Sequence, residues 1–229
     1  MKIALCFAGQ PRFIDRMNFD NLIQDHDVDT YAHFWWDESY CGQQFAWNST
    51  LTYPEDYDPI EDFTQRMNPK KIVFEKYPDL DLSKFKMVSQ MEFPLTEDVV
   101  KQSIYRQKCQ WMSVKNSIAL VKGNYDLVIR MRTDLEFPEK VPLNELDGDG
   151  LYMMDGSLQA GRGREYCDWF YCGPLSRMKE FDVLSVYDEF YKNGIRHMHE
   201  LVTETLATLQ IPHCVLDLKA WMTDRNKIK

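Results

Sequence analysis

Arg130, Arg132, Asp134 and Glu136 occupy every second position of the stretch YDLVIRMRTDLEF, residues 125–137. Side chains alternate across an extended strand, so these four charges share one face. Leu127, Ile129, Met131, Thr133, Leu135 and Phe137 share the other. One reading is an amphipathic edge strand whose charged face is solvated and cross-paired. The other is a central strand of an open sheet whose carboxyl end delivers charge into a ligand crevice. In the second, two carboxylates one residue apart can lean toward one hard cation. Mg²⁺ or Mn²⁺ takes oxygen ligands and commonly shares its site with phosphates. The guanidinium groups present fork-shaped donors to phosphate or neutralise the acids. A nucleotide diphosphate bound through a metal accounts for the whole row. Arg130, the deeper of the two arginines, is expected to be locked against carboxylates inside the sheet, and Arg132 to act on ligand.

The elements needed to position such a row are present in order. Ile3–Ala8 is a strand ended by Gly9-Gln10-Pro11, a breaker cluster. Asp15–Asp25 suggests a short helix, and Asp29–Trp36 an aromatic strand; residues 37–57 suit a long loop over a site. Pro59–Met67 fits a helix with proline in its first turn, and Lys71–Glu75 a third strand. Thr96-Glu97-Asp98 opens a long helix to about Lys122, closed by Gly123-Asn124. Trp111, Val114, Ile118 and Val121 form its core face, while Lys108, Lys115 and Lys122 repeat on another; Lys115 is placed to reach a phosphate. After the charged stretch come strands at Gly150–Met154 and Asp168–Cys172, helices over 175–192 and 198–210, and a strand at Val215–Leu218. Alternation of strands and helices predicts an α/β fold: a single domain with a mostly parallel or mixed central sheet flanked by helices. The charged stretch follows the longest helix, which puts it inside that sheet, where charges need a functional explanation.

Open sheets bind ligands beyond the carboxyl ends of their strands. Ala8, Gly9, Gln10 and Arg12 occupy that position after the first strand, with glycine permitting close backbone approach. Arg132, Thr133 and Asp134 occupy it after the charged one.

The 229 residues carry a formal net charge of −9 and 14% aromatic side chains. Such an acidic chain is not a general nucleic-acid or membrane-surface binder, though its basic groups can still converge on a phosphate in one cleft. The amino-terminal run MKIALCFAGQPR is too short to span a membrane and carries no small-residue cleavage site. Six cysteines without a CxxC pair are expected to be reduced thiols in a cytoplasmic protein that is not secreted.

The segments IALCFAGQPRF, FWW and YDLVIRMRTDLEF resemble the GT-A-type glycosyltransferases of bacteria and large DNA viruses, the capsule and lipopolysaccharide sugar transferases. The resemblance covers most of the chain in element order, but two short motifs carry it. It implies a Rossmann-like GT-A domain over 1–229, with residues 1–137 on the nucleotide-sugar side and 138–229 on the acceptor side. It also implies a UDP- or GDP-linked donor, Mn²⁺ or Mg²⁺ on a DxD-type motif, and transfer of a hexosyl or deoxyhexosyl group to a glycan hydroxyl. On that pattern Asp134 and Glu136 match the metal and donor positions, with Glu136 departing from the strict second aspartate. His213, in a late loop, stands where such enzymes place a further ligand. A literal DxD at Asp79-Leu80-Asp81 is a second choice for the metal and reads as a surface turn.

Inverting transfer needs a carboxylate to accept the acceptor's proton. Asp168, beside the aromatic run Trp169-Phe170-Tyr171 that suits a stacking wall, and Glu200, which shares a helix face with Glu204, are the candidates. Gly161-Arg162-Gly163-Arg164 suits a loop that closes over a diphosphate. Two other readings stand beside this one. A nucleotidyltransferase would share the metal acids but needs a more glycine-rich first turn; a non-catalytic carbohydrate-binding domain would use the aromatic excess around Trp35, Trp36 and Trp47.

Overall fold

The computed structural model describes residues 1–229 except 13, 15–16, 44–51, 147–148, 156–165, 217, 219 and 223–229. Among the described residues, eight of nine strands fall on the strand-like sequence blocks: β1 (Lys2–Gly9), β2 (Asp27–Trp35), β3 (Lys71–Glu75), β4 (Leu127–Met131), β5 (Leu135–Glu136), β6 (Leu151–Asp155), β7 (Tyr166–Gly173) and β8 (His213–Leu216), with β9 (Trp221–Met222) the addition. The helices are α1 (Asp20–Ile23), α2 (Pro59–Met67), α3 (Glu97–Ala119), α4 (Leu175–Glu180), α5 (Leu184–Tyr191) and α6 (Met198–Thr208). Asp58 caps α2 by accepting from the backbone N–H of Ile60 and Glu61, and Pro59 follows where no N–H is needed.

Seven strands form one mixed sheet in the order β3-β2-β1-β4-β7-β6-β8. β3, β2, β1 and β4 are mutually parallel, β7 runs against both β4 and β6, and β8 is parallel to β6. β4 therefore lies at the centre, flanked by β1 on one side and β7 on the other, and the edge-strand reading of the charged stretch is excluded. The pleat sorts β1 and β4 between two cores. Ile3, Leu5, Phe7, Leu127, Ile129 and Met131 pack into one layer with α1 and α2 residues such as Leu22 and Phe63. Ala4, Cys6, Ala8 and Val128 pack into the other with Trp111, Val114 and Ile118 of α3 and with α5 and α6.

Two expectations change. The charged stretch is not one strand: β4 ends at Met131, residues 132–134 turn, and Leu135–Glu136 pairs with β9 in a separate two-stranded sheet. Pairing with β1 and with β7 both stop at Met131, which faces Phe7 on one side and Phe170 on the other. The expected helix over 175–192 is two helices, broken between Glu180 and Leu184. Among the described residues no helix is long and apolar enough to cross a membrane. All six cysteines are free thiols, four of them buried.

Candidate active site

Parallel strands end on one edge, and that edge opens into a cavity of about 320 Å³. β1 supplies Ala8, Gly9, Gln10 and Arg12 to its wall, and β4 supplies Arg130, Arg132, Thr133 and Asp134. The two turns are tied together, because the backbone N–H of Arg12 donates to Thr133 Oγ1 at 3.3 Å. Gly9 has φ +105°, a conformation other residues adopt only under strain, and a Cβ there would meet nothing within 4 Å. The backbone, and not a steric clash, is what calls for glycine. Its N–H donates to the buried hydroxyl of Ser113 at 2.8 Å, and that hydroxyl donates to the carbonyl of His33 at 2.6 Å. One serine of α3 thus pins the ends of β1 and β2.

Four guanidinium groups line the cavity: Arg12, Arg106, Arg130 and Arg132. The only carboxylate among the described lining residues is Asp134. It is 1% exposed and accepts both Nε (2.7 Å) and Nη2 (2.6 Å) of Arg132, a two-point fork. Burial alone would lower the Arg132 pKa, but Asp134 outweighs it and the net shift is upward. Arg12 has no such compensation: burial, then repulsion from Arg132, lowers its pKa against a weaker pull from Asp134. Arg12 donates to Gln10 Oε1 from both Nε and Nη2.

Arg130 corrects an expectation. It is fully buried, yet among the described residues it bonds a main-chain oxygen and no carboxylate. Nη1 donates to the main-chain carbonyl of Asp168, and the guanidinium lies between Trp111 (5.9 Å) and Tyr171 (5.7 Å). Nε and Nη2 make no hydrogen bond among the described residues. Arg132 is the arginine locked to an acid.

An aromatic wall faces these charges, comprising Trp35, Tyr40, Tyr53, Tyr77 and Tyr105. Trp35 stacks on Tyr77 at 5.7 Å and 24°, and its indole N–H donates to the Cys109 carbonyl at 2.7 Å, which fixes its orientation. Gln102, Tyr105, Arg106 and Gln110 reach the cavity from one side of α3. The sequence analysis missed them, although Gln102, Arg106 and Gln110 are spaced four apart and so form a polar stripe.

Five other candidate residues lie outside this lining. Lys115 is five residues beyond Gln110 on α3, which runs away from the carboxyl edge, and it pairs with Asp182 at 2.6 Å. Glu136 follows the break after β4 into the second sheet, opposite Trp221. His213 pairs into β8, where Nδ1–H donates to the Ile211 carbonyl (2.8 Å) and Nε2 accepts from the Tyr166 hydroxyl (2.9 Å) in the neutral ring. Glu200 accepts from Arg196 Nε at 3.0 Å in the first turn of α6. Asp168, buried, stands one hydrogen bond behind the wall: its Oδ2 accepts from Gln110 Nε2 at 2.7 Å. Asp79 and Asp81 are exposed, and Asp81 accepts from Ser83 N–H in a surface turn. Trp47 and Gly161–Arg164 lie outside the described residues.

The residues present do not fit a divalent ion at Asp134. Both of its oxygens are engaged by Arg132, and Asp134, Glu136 and His213 do not converge. Among the described residues, the group of three metal-capable side chains that does converge is Cys167, Asp168 and His199, with ligand atoms within 4.8 Å of one another. There the Cys167 thiol is pushed up by burial and keeps its proton, and Arg130 and Arg132 place positive charge nearby. Neither set is the oxygen-rich, net negative cage that Mg²⁺ and Mn²⁺ take.

No family model and no curated protein sequence matches the chain. Solved structures do. Across 93% of this chain and 45% of the other, it is similar to the apo form of the glycosyltransferase GlyE of Streptococcus pneumoniae TIGR4, with 12% identity and a TM-score of 0.49. Across 94% of this chain and 73% of the other, it is similar to the galactosyltransferase LgtC in complex with donor and acceptor sugar analogues, with 12% identity and a TM-score of 0.47. Both are glycosyltransferases. This chain spans less than half the length of the first, and neither likeness assigns a role to any of its residues.

Proposed function

We propose that the chain is a glycosyltransferase that binds a nucleotide-diphosphate sugar in the cavity beyond β1 and β4. The observation that carries this reading is the convergence of four guanidinium groups and an aromatic wall at the carboxyl edge of parallel strands, in a protein of net charge −9. The diphosphate lies against Arg12 and Arg130, with Gly9 allowing the backbone to come close. The nucleoside ring stacks on the wall that Trp35 and Tyr77 hold rigid. In the transfer an acceptor hydroxyl oxygen bonds to the anomeric carbon as that carbon's bond to the diphosphate oxygen breaks. The bonding pair leaves on the diphosphate, and the hydroxyl proton goes to a base or to water. Guanidinium groups fixed around the leaving group stabilise the charge that develops there. Asp168 holds Gln110 through its carboxylate and Arg130 through its main-chain oxygen, so it positions two groups of the wall.

Calorimetric titration with UDP and with GDP, each with and without Mn²⁺, tests the reading. Binding of either at micromolar to low millimolar Kd is expected. If neither binds under any of these conditions while the protein melts cooperatively, the cavity is not a nucleotide-sugar site.

A further inference from the structure

We infer that this cavity takes a diphosphate on guanidinium groups alone, with no divalent ion bridging phosphate to protein. The inference rests on the reading of the cavity as a nucleotide-sugar site and adds how the charged part of the ligand is held.

Three observations carry it. First, the described lining residues hold a net of three positive charges, four guanidinium groups against the Asp134 carboxylate. A nucleoside diphosphate at neutral pH brings about three negative charges, and its sugar ester about two. Charge balance is therefore reached without a dication, and adding one would leave the site in positive excess. Second, Arg130 is fully buried, lines the cavity and, among the described residues, leaves Nε and Nη2 without hydrogen bonds. Buried donors of this kind are costly unless a partner arrives, and two oxygens of a phosphate are the partners a guanidinium fork fits best. Third, the acid nearest the arginines is already consumed. Asp134 gives both oxygens to Arg132, which makes a neutral pair and orients the second guanidinium. In this arrangement Asp134 aligns Arg132 and does not ligate a metal.

The test is titration of the whole chain with UDP, GDP and inorganic pyrophosphate in EDTA, repeated with Mn²⁺ and with Mg²⁺. The expected result is binding in EDTA, with Kd changed by less than about threefold on adding metal. Asp134→Asn keeps the side-chain shape and should bind at least as tightly in EDTA as the parent, because Arg132 is freed and a repelling carboxylate is gone. Arg12→Gln, on a partly exposed turn, should weaken binding by about tenfold or more. Nucleotide binding that appears only with Mn²⁺ or Mg²⁺, or that Asp134→Asn abolishes in a folded protein, overturns the inference and leaves the proposed function standing. Pyrophosphate binding in EDTA without nucleotide binding in any condition supports the inference and overturns the proposed function. Failure of all three probes on a cooperatively melting protein overturns both.

Discussion

A guanidinium enclosed by Trp111 and Tyr171 with two unbonded nitrogens costs the fold something that an apolar side chain of similar length does not. Arg130→Met should therefore melt at or above the parent temperature while losing at least tenfold in affinity for UDP or pyrophosphate. A stability loss above about 1 kcal/mol in urea unfolding would instead make Arg130 a structural residue. Arg132 behaves in the reverse way. Arg132→Ala leaves the buried Asp134 without its fork, so about 2–3 kcal/mol of stability should go with it, read from the same unfolding curves. The sequence analysis assigned these two phenotypes the other way round. Its parity argument was sound, since 127, 129 and 131 do face one core and Arg130 the other layer. It treated the row as one strand, however, and a turn at 132–134 is what lets Arg132 and Asp134 reach each other as neighbours two residues apart.

Among the elements, the turn after β1 depends on α3 through a single hydroxyl. Ser113→Ala leaves the Gly9 N–H and the His33 carbonyl without that partner, and a loss of about 1–3 kcal/mol is expected. Hydrogen exchange at the Gly9 amide should accelerate by a larger factor than at other β1 amides; uniform change would mean the turn is not held from α3. The segment after β2 has its own anchor. Asp37 accepts from Ser39 N–H at 2.9 Å and pairs with Lys76 at 2.8 Å, which steadies the turn that brings Tyr40 to the cavity. The Lys76 hydrogen bond and then the Ser39 N–H lower the Asp37 pKa to about 2. A carboxyl group depressed in the folded state stabilises above its ordinary unfolded pKa and loses that contribution as pH falls, here between about 4 and 2. Near-UV dichroism of Tyr40 and its neighbours should titrate over that window, and Asp37→Asn should remove the titration. The elements themselves were largely legible, because breaker residues bound them: Gly9-Gln10-Pro11, Pro59 and Gly123-Asn124. What was not legible is where α3 would aim. Its lysine stripe drew attention by charge, yet Lys115 sits toward the wrong end of the helix, while the uncharged glutamines at 102 and 110 face the ligand edge.

At the scale of the molecule, half of the candidate site was readable and half was not, for one reason. Ala8, Gly9, Gln10, Arg12, Arg132, Thr133 and Asp134 belong to strand ends, and the carboxyl edge of a parallel sheet gathers strand ends wherever their partners lie in sequence. Glu136, His213 and Glu200 belong to elements whose placement depends on packing between distant segments, which spacing along the chain does not encode. The resemblance to sugar transferases implies a metal on an acidic pair; the metal-free binding proposed above rests instead on the charge balance of the assembled cavity. The whole sheet should respond as one. Occupation of the cavity by UDP should raise the melting temperature of the entire transition and not split it, since β1, β4 and β7 hold both the cavity and the core.

The position of β4 between β1 and β7 also governs how the chain is made. β1 is apolar on both faces and seven of its eight residues are no more than partly exposed in the final sheet. Its partner on the far side from β2 is synthesised only about 120 residues later. At ribosomal speeds that leaves one edge of β1 without its neighbour for about 10 s, a long interval for an unpaired apolar edge. Nascent chains arrested before Leu127 should aggregate or recruit chaperones. Chains arrested beyond Gly173, which have both β4 and its antiparallel partner β7, should stay in solution. The same insertion that builds the cavity is thus the step at which this protein is most exposed to misassembly.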